Sequence, residues 1–375
     1  MQAESSTPSV AGAGAAQAVP EHGGGRVAEV LVRRGVRALF TLCGGHISPI
    51  LTAAKARGIR IVDVRDEASA VFAADAMARL TGVPGVAAVT AGPGMTNTVT
   101  AVKNAQLAQS PVVVLGGATG TILKGRGSLQ DIDQQALMAP HVKWQATVSR
   151  VRDLGPTVDA AFAAATDGVP GPVFVECPVD LLYPEPIVRG QYGLDAKGGG
   201  AAGWAVRRYL SRHVGKLFAG ARRPDRLPSV APWTPPSSPA KPLANAAKAL
   251  ARARRPVLVI GSQSLIHAGR ADAVAAAVDA LGVPAYLSGM ARGLLGPGHA
   301  LHMRHKRRLA LKEADVVVLC GVPCDFRLDY GRHIGRGAKL ISVNLDADTL
   351  VKNRKPWLGV RADPGRFLTD LADAF

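Results

Sequence analysis

Residues 59–117 read IRIVDVRDEASAVFAADAMARLTGVPGVAAVTAGPGMTNTVTAVKNAQLAQSPVVVLGG. Three β-branched runs, IRIVDV (59–64), GVAAVT (85–90) and PVVVLGG (111–117), alternate with Ala-rich stretches of helical period at 67–80 and 97–108. In the first stretch Val71, Ala74, Met77 and Ala78 share one face. The runs are apolar almost throughout rather than at every second position, so both faces of each strand must be covered. Apolar strands separated by helices make a parallel sheet sandwiched between helices.

The same rhythm extends outward. RALFTL (37–42), KWQATV (143–148) and PVFVECP (172–178) are further strands, and 47–57 and 153–166 further helices. Beyond residue 182 the pattern breaks. Pro184, Pro186, the glycines 198–200 and the run APWTPPSSPAKP (231–242) read as a linker with a short helix near 203–218. A second series follows, with strands PVLVIG (256–261), VPAYLS (283–288), DVVVLC (315–320) and KLISVN (339–344) and helices at 241–254, 267–281 and 364–375. The expected fold is α/β: two doubly wound parallel-sheet domains in series. Their expected limits are a disordered segment at 1–24, a first domain at 25–182, a Pro/Gly-rich linker at 183–240 and a second, Rossmann-like domain at 241–375.

Composition narrows the class. In 375 residues, 47% are apolar, with 42 Gly and 26 Pro, which excludes a coiled coil, a collagen-like repeat and a wholly disordered chain. No run reaches the ~18 apolar residues of a membrane span. The opening MQAESSTPSVAGAGAAQAVPEHGGG has neither a basic start nor an apolar core, so it is not read as a signal peptide. The net charge of +17 raises nucleic-acid binding, but the excess is arginine spread along the chain. Its densest run, RHKRR (304–308), has no interleaved aromatic residue for stacking and reads as a solvated face, so no nucleic-acid partner is expected. Cys43, Cys177, Cys320 and Cys324 are too scattered for a disulfide framework. Cys43, Cys177 and Cys320 sit in or beside apolar runs as small hydrophobes. His299, His302 and His305 lack a neighbouring carboxylate or thiolate, so no metal is assigned to them.

Open parallel sheets bind ligands beyond the carboxyl ends of their strands. Three loops at such ends stand out: CGGHISP (43–49), the turn into the helix opened by Glu67, and AGPGMTN (91–97). Their glycines let backbone approach a ligand, and each turn leads into a helix N-terminus with free N–H donors. Neither GxGxxG nor GxxxxGK[ST] occurs, which argues against a standard dinucleotide fingerprint and a P-loop.

In that order, and with FTLCGGHISPI, VRDEASAVFAADAMARLTG, VTAGPGMTNTVTAVKNAQLAQSPVVVLGG and GPVFVECPVDLLYP as its blocks, residues 21–180 resemble the pyrimidine-binding domain of thiamine diphosphate enzymes of the acetolactate synthase and 2-hydroxyacyl-CoA lyase group. The likeness continues through PVLVIGSQSL, GMARGLLG and VVVLCGVPCDFRLDYGR into the group's central domain. It implies that Glu67 is the carboxylate that hydrogen-bonds the cofactor's aminopyrimidine N1′ and so turns the neighbouring amino group into an internal base. Such a carboxylate must share a proton and needs a dry site, which Ala68, Ala70, Val71, Phe72, Ala73 and Ala74 would supply. Position alone would equally suit a first-turn helix acid.

The resemblance places Gly44, Gly45, His46, Gly92, Pro93, Gly94, Thr96 and Asn97 around the cofactor, and Gln130 over the reaction centre as the second catalytic residue. In the second domain it makes Gly289, Arg292, Asp325 and Arg327 candidates for holding FAD, ADP or coenzyme A. One departure is local: the group's Arg-His-Glu is here Arg65-Asp66-Glu67. Aspartate should still cap the helix, while its like charge beside Glu67 would bear on cofactor activation.

A second departure is larger. The group binds the cofactor's diphosphate and its Mg2+ through a Gly-Asp-Gly motif and a later Asn in a C-terminal domain, and no Gly-Asp-Gly occurs in these residues. The expectation is therefore an incomplete, by itself inactive chain of a lyase that splits 2-hydroxyacyl-CoA into an aldehyde and formyl-CoA. An acetolactate synthase-type carboligase acting on a 2-keto acid, or an inactive dimerising or partner-binding remnant, are the alternatives. The resemblance also implies a homodimer or homotetramer formed through the first domain. It implies residence at the endoplasmic reticulum membrane, with the anchor segment missing from this chain, or else in the cytoplasm.

Overall fold

The computed structural model describes residues 22–196, 198, 200–229, 235 and 237–375. Six strands, β1 (Ala38–Thr41), β2 (Arg60–Asp63), β3 (Gly85–Val89), β4 (Val112–Ala118), β5 (Trp144–Thr147) and β6 (Val173–Pro178), form an all-parallel sheet in the order β2-β1-β3-β4-β6-β5. The central strands β3, β4 and β6 are buried along their whole length, as their unbroken apolar runs require. The first domain's helices are α1 (Gly23–Arg33), α2 (Ser48–Ala56), α3 (Glu67–Thr81), α4 (Pro93–Asn97), α5 (Val99–Ala108), α6 (Gln134–Met138) and α7 (Leu154–Thr166). Alternation along β4 divides the core: Val113 and Leu115 meet α1, α2 and α7, while Val112 and Val114 meet α3 and α5.

The second domain is a five-stranded parallel sheet of β7 (Pro256–Ile260), β8 (Ala285–Leu287), β9 (Val316–Cys320), β10 (Lys339–Asn344) and β11 (Leu358–Arg361), ordered β11-β10-β9-β7-β8. Both sheets are doubly wound, as the sequence reading expects. Strand order reverses between β1 and β3 in the first sheet and between β7 and β9 in the second. These two switch points are where loops diverge and leave crevices.

The structure departs from the expected limits at two places. Residues 22–24, read as the end of a disordered segment, open α1: the His22 side chain accepts from the Gly25 N–H, and Gly23 and Gly24 are buried. A Cβ on Gly23 would lie 2.1 Å from the Leu181 carbonyl oxygen, so these glycines serve close packing rather than flexibility. Residues 1–21, the rest of that segment, lie outside the described residues.

The segment read as a linker is largely built onto the first domain. It forms helices Glu185–Gln191 and Gly200–Leu217, the latter longer than expected. Val214, Leu217, Phe218 and Ala221 enter the same core as Val27 and Phe162. Buried Arg26 on α1 pairs with Asp225 and donates to the carbonyls of Ala221 and, at 2.8 Å, Arg223. Of the Pro-rich run 231–242, residues 231–234 and 236 lie outside the described residues, and its last three open the helix Ala240–Ala251.

Among the described residues no helix is long and apolar enough to cross a membrane. Cys177, Cys320 and Cys324 are buried free thiols, with burial pushing Cys177 up to about 12. Cys43 departs from its reading as a small hydrophobe: it is exposed, because β1 ends before it and the loop carries it out of the sheet.

Candidate cofactor site and domain cleft

The first crevice lies at the carboxyl ends of β1 to β4. Glu67 is the first residue of α3 and is buried. Its neighbour Asp66 is exposed and caps the helix by accepting from the Ser69 N–H at 3.2 Å, so the two carboxylates diverge. Glu67 Oε2 accepts from Asn97 Nδ2 at 3.0 Å. Glu67 Oε1 has no donor among the described residues and faces Gly94, where a Cβ would stand 3.3 Å away. One oxygen is thus fixed and the other is offered to the crevice.

The 91–97 loop achieves this by a tight turn. Gly92 has φ +63 and ψ −113, and Pro93 starts α4. A Cβ on Gly92 would press 2.8 Å from the Gln130 carbonyl oxygen, so Gly92 also sets where the Gln130 loop lies. Gln130 is half-buried and itself has φ +62, a conformation that a non-glycine residue holds at some cost. The Thr96 hydroxyl is turned back on the Pro93 carbonyl at 3.0 Å.

His46 joins the two loops of the switch point, with Nδ1 3.2 Å from Thr90 Oγ1. Burial lowers its pKa, so the imidazole is neutral at neutral pH. Gly44 packs against Thr90, and Gly45 accepts from the Tyr183 hydroxyl at 3.3 Å. The structure therefore gathers Gly44, Gly45, His46, Glu67, Gly92, Pro93, Gly94, Asn97 and Gln130 at one end of the first sheet.

The second crevice is a cleft of about 590 Å³ between the domains. One wall holds the ends of β7, β8, β9 and β10 at Gly261, Ser288, Gly321 and Asn344, and the other holds Arg79, Asn104 and Leu107 from α3 and α5. Gly289, Asp325 and Arg327 line it, whereas Arg292 is exposed and outside it. Asp325 pairs with Arg327 at 2.6 Å, and the Arg327 guanidinium lies 5.0 Å from the Phe326 ring centroid. Gln263 Nε2 donates across the cleft to Gln109 Oε1 at 2.6 Å. The three histidines near residue 300 do not converge: His299 pairs with Asp279 and His302 with the Gly296 carbonyl.

Comparison with known proteins fits this arrangement. Residues 21–137 match "Thiamine pyrophosphate enzyme, N-terminal TPP binding domain", and residues 243–371 match "Thiamine pyrophosphate enzyme, central domain". The chain belongs to the thiamine pyrophosphate enzymes. It is 50% identical to 2-hydroxyacyl-CoA lyase 2 of Danio rerio over 359 residues, which are 95% of this chain and 58% of that protein. The Homo sapiens protein of that name is 51% identical over 356 residues, 94% of this chain and 56% of the relative. A probable acetolactate synthase of Mycobacterium bovis is 36% identical over 321 residues, 85% of this chain and 52% of that protein. The chain thus spans a little over half the length of its curated lyase relatives.

As a thiamine pyrophosphate enzyme the chain has a fitting site for the pyrimidine end of that cofactor. The unpaired Oε1 of a buried carboxylate can receive a ring N–H, and Gly94, where a Cβ would stand 2.8 Å from the Thr90 methyl and 3.3 Å from Oε1, lets the turn pack there with no side chain beside that oxygen. The group that sequence reasoning missed lies behind it. Gln134, 1% exposed, accepts from the Gly92 N–H at 3.3 Å and donates at 3.0 Å to both the Gly117 carbonyl and Glu176. The only sequence signal for Glu176 is a carboxylate in the otherwise apolar run PVFVECP.

Proposed function

We propose that these residues are the cofactor-activating and central part of a thiamine diphosphate-dependent carbon–carbon lyase, which splits a 2-hydroxyacyl-CoA into an aldehyde and formyl-CoA. The carrying observation is Glu67: buried, held by Asn97 through one oxygen and unpaired at the other. The choice of lyase over carboligase rests on similarity, 50% to the named lyases against 36% to the acetolactate synthase relative.

Bound thiamine diphosphate would supply the nucleophilic carbon and the electron sink that carbon–carbon cleavage requires. Glu67 holds a proton at the pyrimidine ring, and Asn97 fixes the carboxylate's rotation so that Oε1 is the oxygen presented. Ala70, Val71 and Met95, buried in the core under α3 and α4, would keep water out from the protein side. His46, neutral and half-buried, and Gln130 border the space in which substrate would sit. Mg2+ and the diphosphate would be held by a Gly-Asp-Gly clamp, which is not among these residues.

The domain cleft, with Arg79, Arg327 and Lys352 on its walls, suits the phosphates of an adenine nucleotide such as ADP, coenzyme A or FAD. A homodimer or homotetramer formed through the first domain completes the reading. The test is product analysis with a 2-hydroxyacyl-CoA, Mg2+ and thiamine diphosphate, on these residues joined to the portion of the lyase relative that they do not span. Formyl-CoA and a shortened aldehyde are expected; a condensation product from 2-keto acid alone would replace the lyase by the carboligase.

A further inference from the structure

Behind the pyrimidine crevice a carboxylate lies wholly inside the protein. Glu176, in β6, is fully buried and has all its donors from other segments. Its Oε1 accepts from Gln134 Nε2 of α6 at 3.0 Å. Its Oε2 accepts from Thr147 Oγ1 of β5 at 2.7 Å and from Lys124 Nζ at 2.8 Å. A charge so placed is tolerated only when paired and hydrogen-bonded, and the set satisfies it from both sides.

These partners close a circuit. Gln134 passes from Glu176 to the Gly92 N–H, and Gly92 abuts Gln130. Gln130 belongs to the connection 119–133, which also carries Lys124, and Lys124 returns to Glu176. That connection is also held by local bonds, among them Thr119 to Ser128 at 2.8 Å, and near its start by Thr121, whose N–H and hydroxyl donate to Asp180 at 2.9 and 2.6 Å and whose hydroxyl lies 2.8 Å from His213 Nε2. From Gly92 the path continues through α4 to Asn97 and Glu67.

We infer that Glu176 is a positioning residue: through Gln134 and Lys124 it fixes the Gly92 turn and the Gln130 loop in register with each other and hence with Glu67. Glu176 touches no reacting atom in this reading. The inference rests on the proposed use of Glu67 and Gln130, but its mechanical content stands apart from the chemistry.

Hydrogen exchange of the 375-residue chain without cofactor tests it. Lys124 is 44% exposed, so Lys124→Met breaks the circuit from the outside and leaves the core packing alone. Exchange of the bonded amides in 120–131 should then rise roughly three- to tenfold beyond any rise shared with the amides of β4 and β6. Lys124→Arg, which keeps the charge, should restore slow exchange. Glu176→Gln should loosen the same loop and also the turn at 92–97. Unchanged loop exchange in Lys124→Met, or equal acceleration in β4 and β6, would overturn the inference. Neither result depends on turnover, so failure here leaves the role of Glu67 intact, and loss of that role leaves this result intact.

Discussion

The geometry of the Glu67 site depends on what three neighbours give up. Gly94 has no side chain, Asn97 spends its amide on Oε2, and Asp66 spends its carboxylate on the Ser69 N–H. Gly92 is the least replaceable of the turn residues, since its φ of +63 and its 2.8 Å approach to Gln130 both exclude a Cβ. Gly92→Ala should cost roughly 1–3 kcal/mol in thermal or urea unfolding. A change of only a few tenths would show that the turn relaxes freely. The place of Glu67, at the head of the helix that follows β2, is legible in the sequence because its loops follow a recognisable order. The roles of Glu176 and Gln134 are not legible, because their meaning lies in partners 17 to 52 residues away that no local pattern announces.

Among the elements, β-strands were read most faithfully. Unbroken apolar runs such as PVVVLGG can only be buried strands, and the pattern marks them to within a residue or two. The edge strand β11, LGVR, was missed, since four residues with one fully buried side chain carry no run to detect. α1 was missed in part because its glycines imitate a linker. The stretch 183–229 was misread for the same reason: its glycines and prolines mark bends, while the residues that dock it, Val214, Leu217 and Asp225, are far apart.

The Arg26–Asp225 pair makes that docking testable. Desolvation raises the Asp225 pKa more than Arg26 lowers it, so the pair itself adds little net stability. Breaking it is another matter, because a guanidinium 1% exposed would be left without its counter-charge. Asp225→Asn should destabilise the first domain by about 3–5 kcal/mol. A variant as stable as the parent would make 183–229 a passive strap.

At the scale of the whole molecule, two crevices open at two switch points, and Gln109 and Gln263 bridge the domains between them. The same junction makes stability depend on pH. Burial foremost, and Arg270 next, push His267 from 6.5 down to about 4. Between those values the unfolded chain binds a proton there and the folded chain does not, so stability falls as pH drops from 6.5 to 4. The half-buried His46 acts in the same direction, and Asp363, whose pKa burial raises, acts against both. His267→Gln should therefore narrow the gap in unfolding free energy between pH 7 and pH 4.5, measured by urea titration, by an amount on the order of 1–3 kcal/mol. An unchanged gap would place the acid sensitivity elsewhere.

In the proposed function everything turns on Glu67 as the carboxylate on which the cofactor's activation depends. The most direct measurement is release of formyl-CoA from a 2-hydroxyacyl-CoA, with Mg2+ and thiamine diphosphate, by these residues joined to the portion of the Danio rerio relative that they do not span. Turnover should require thiamine diphosphate and fall at least ~100-fold in Glu67→Gln. Turnover that survives that substitution, or proceeds without the cofactor, would contradict the account.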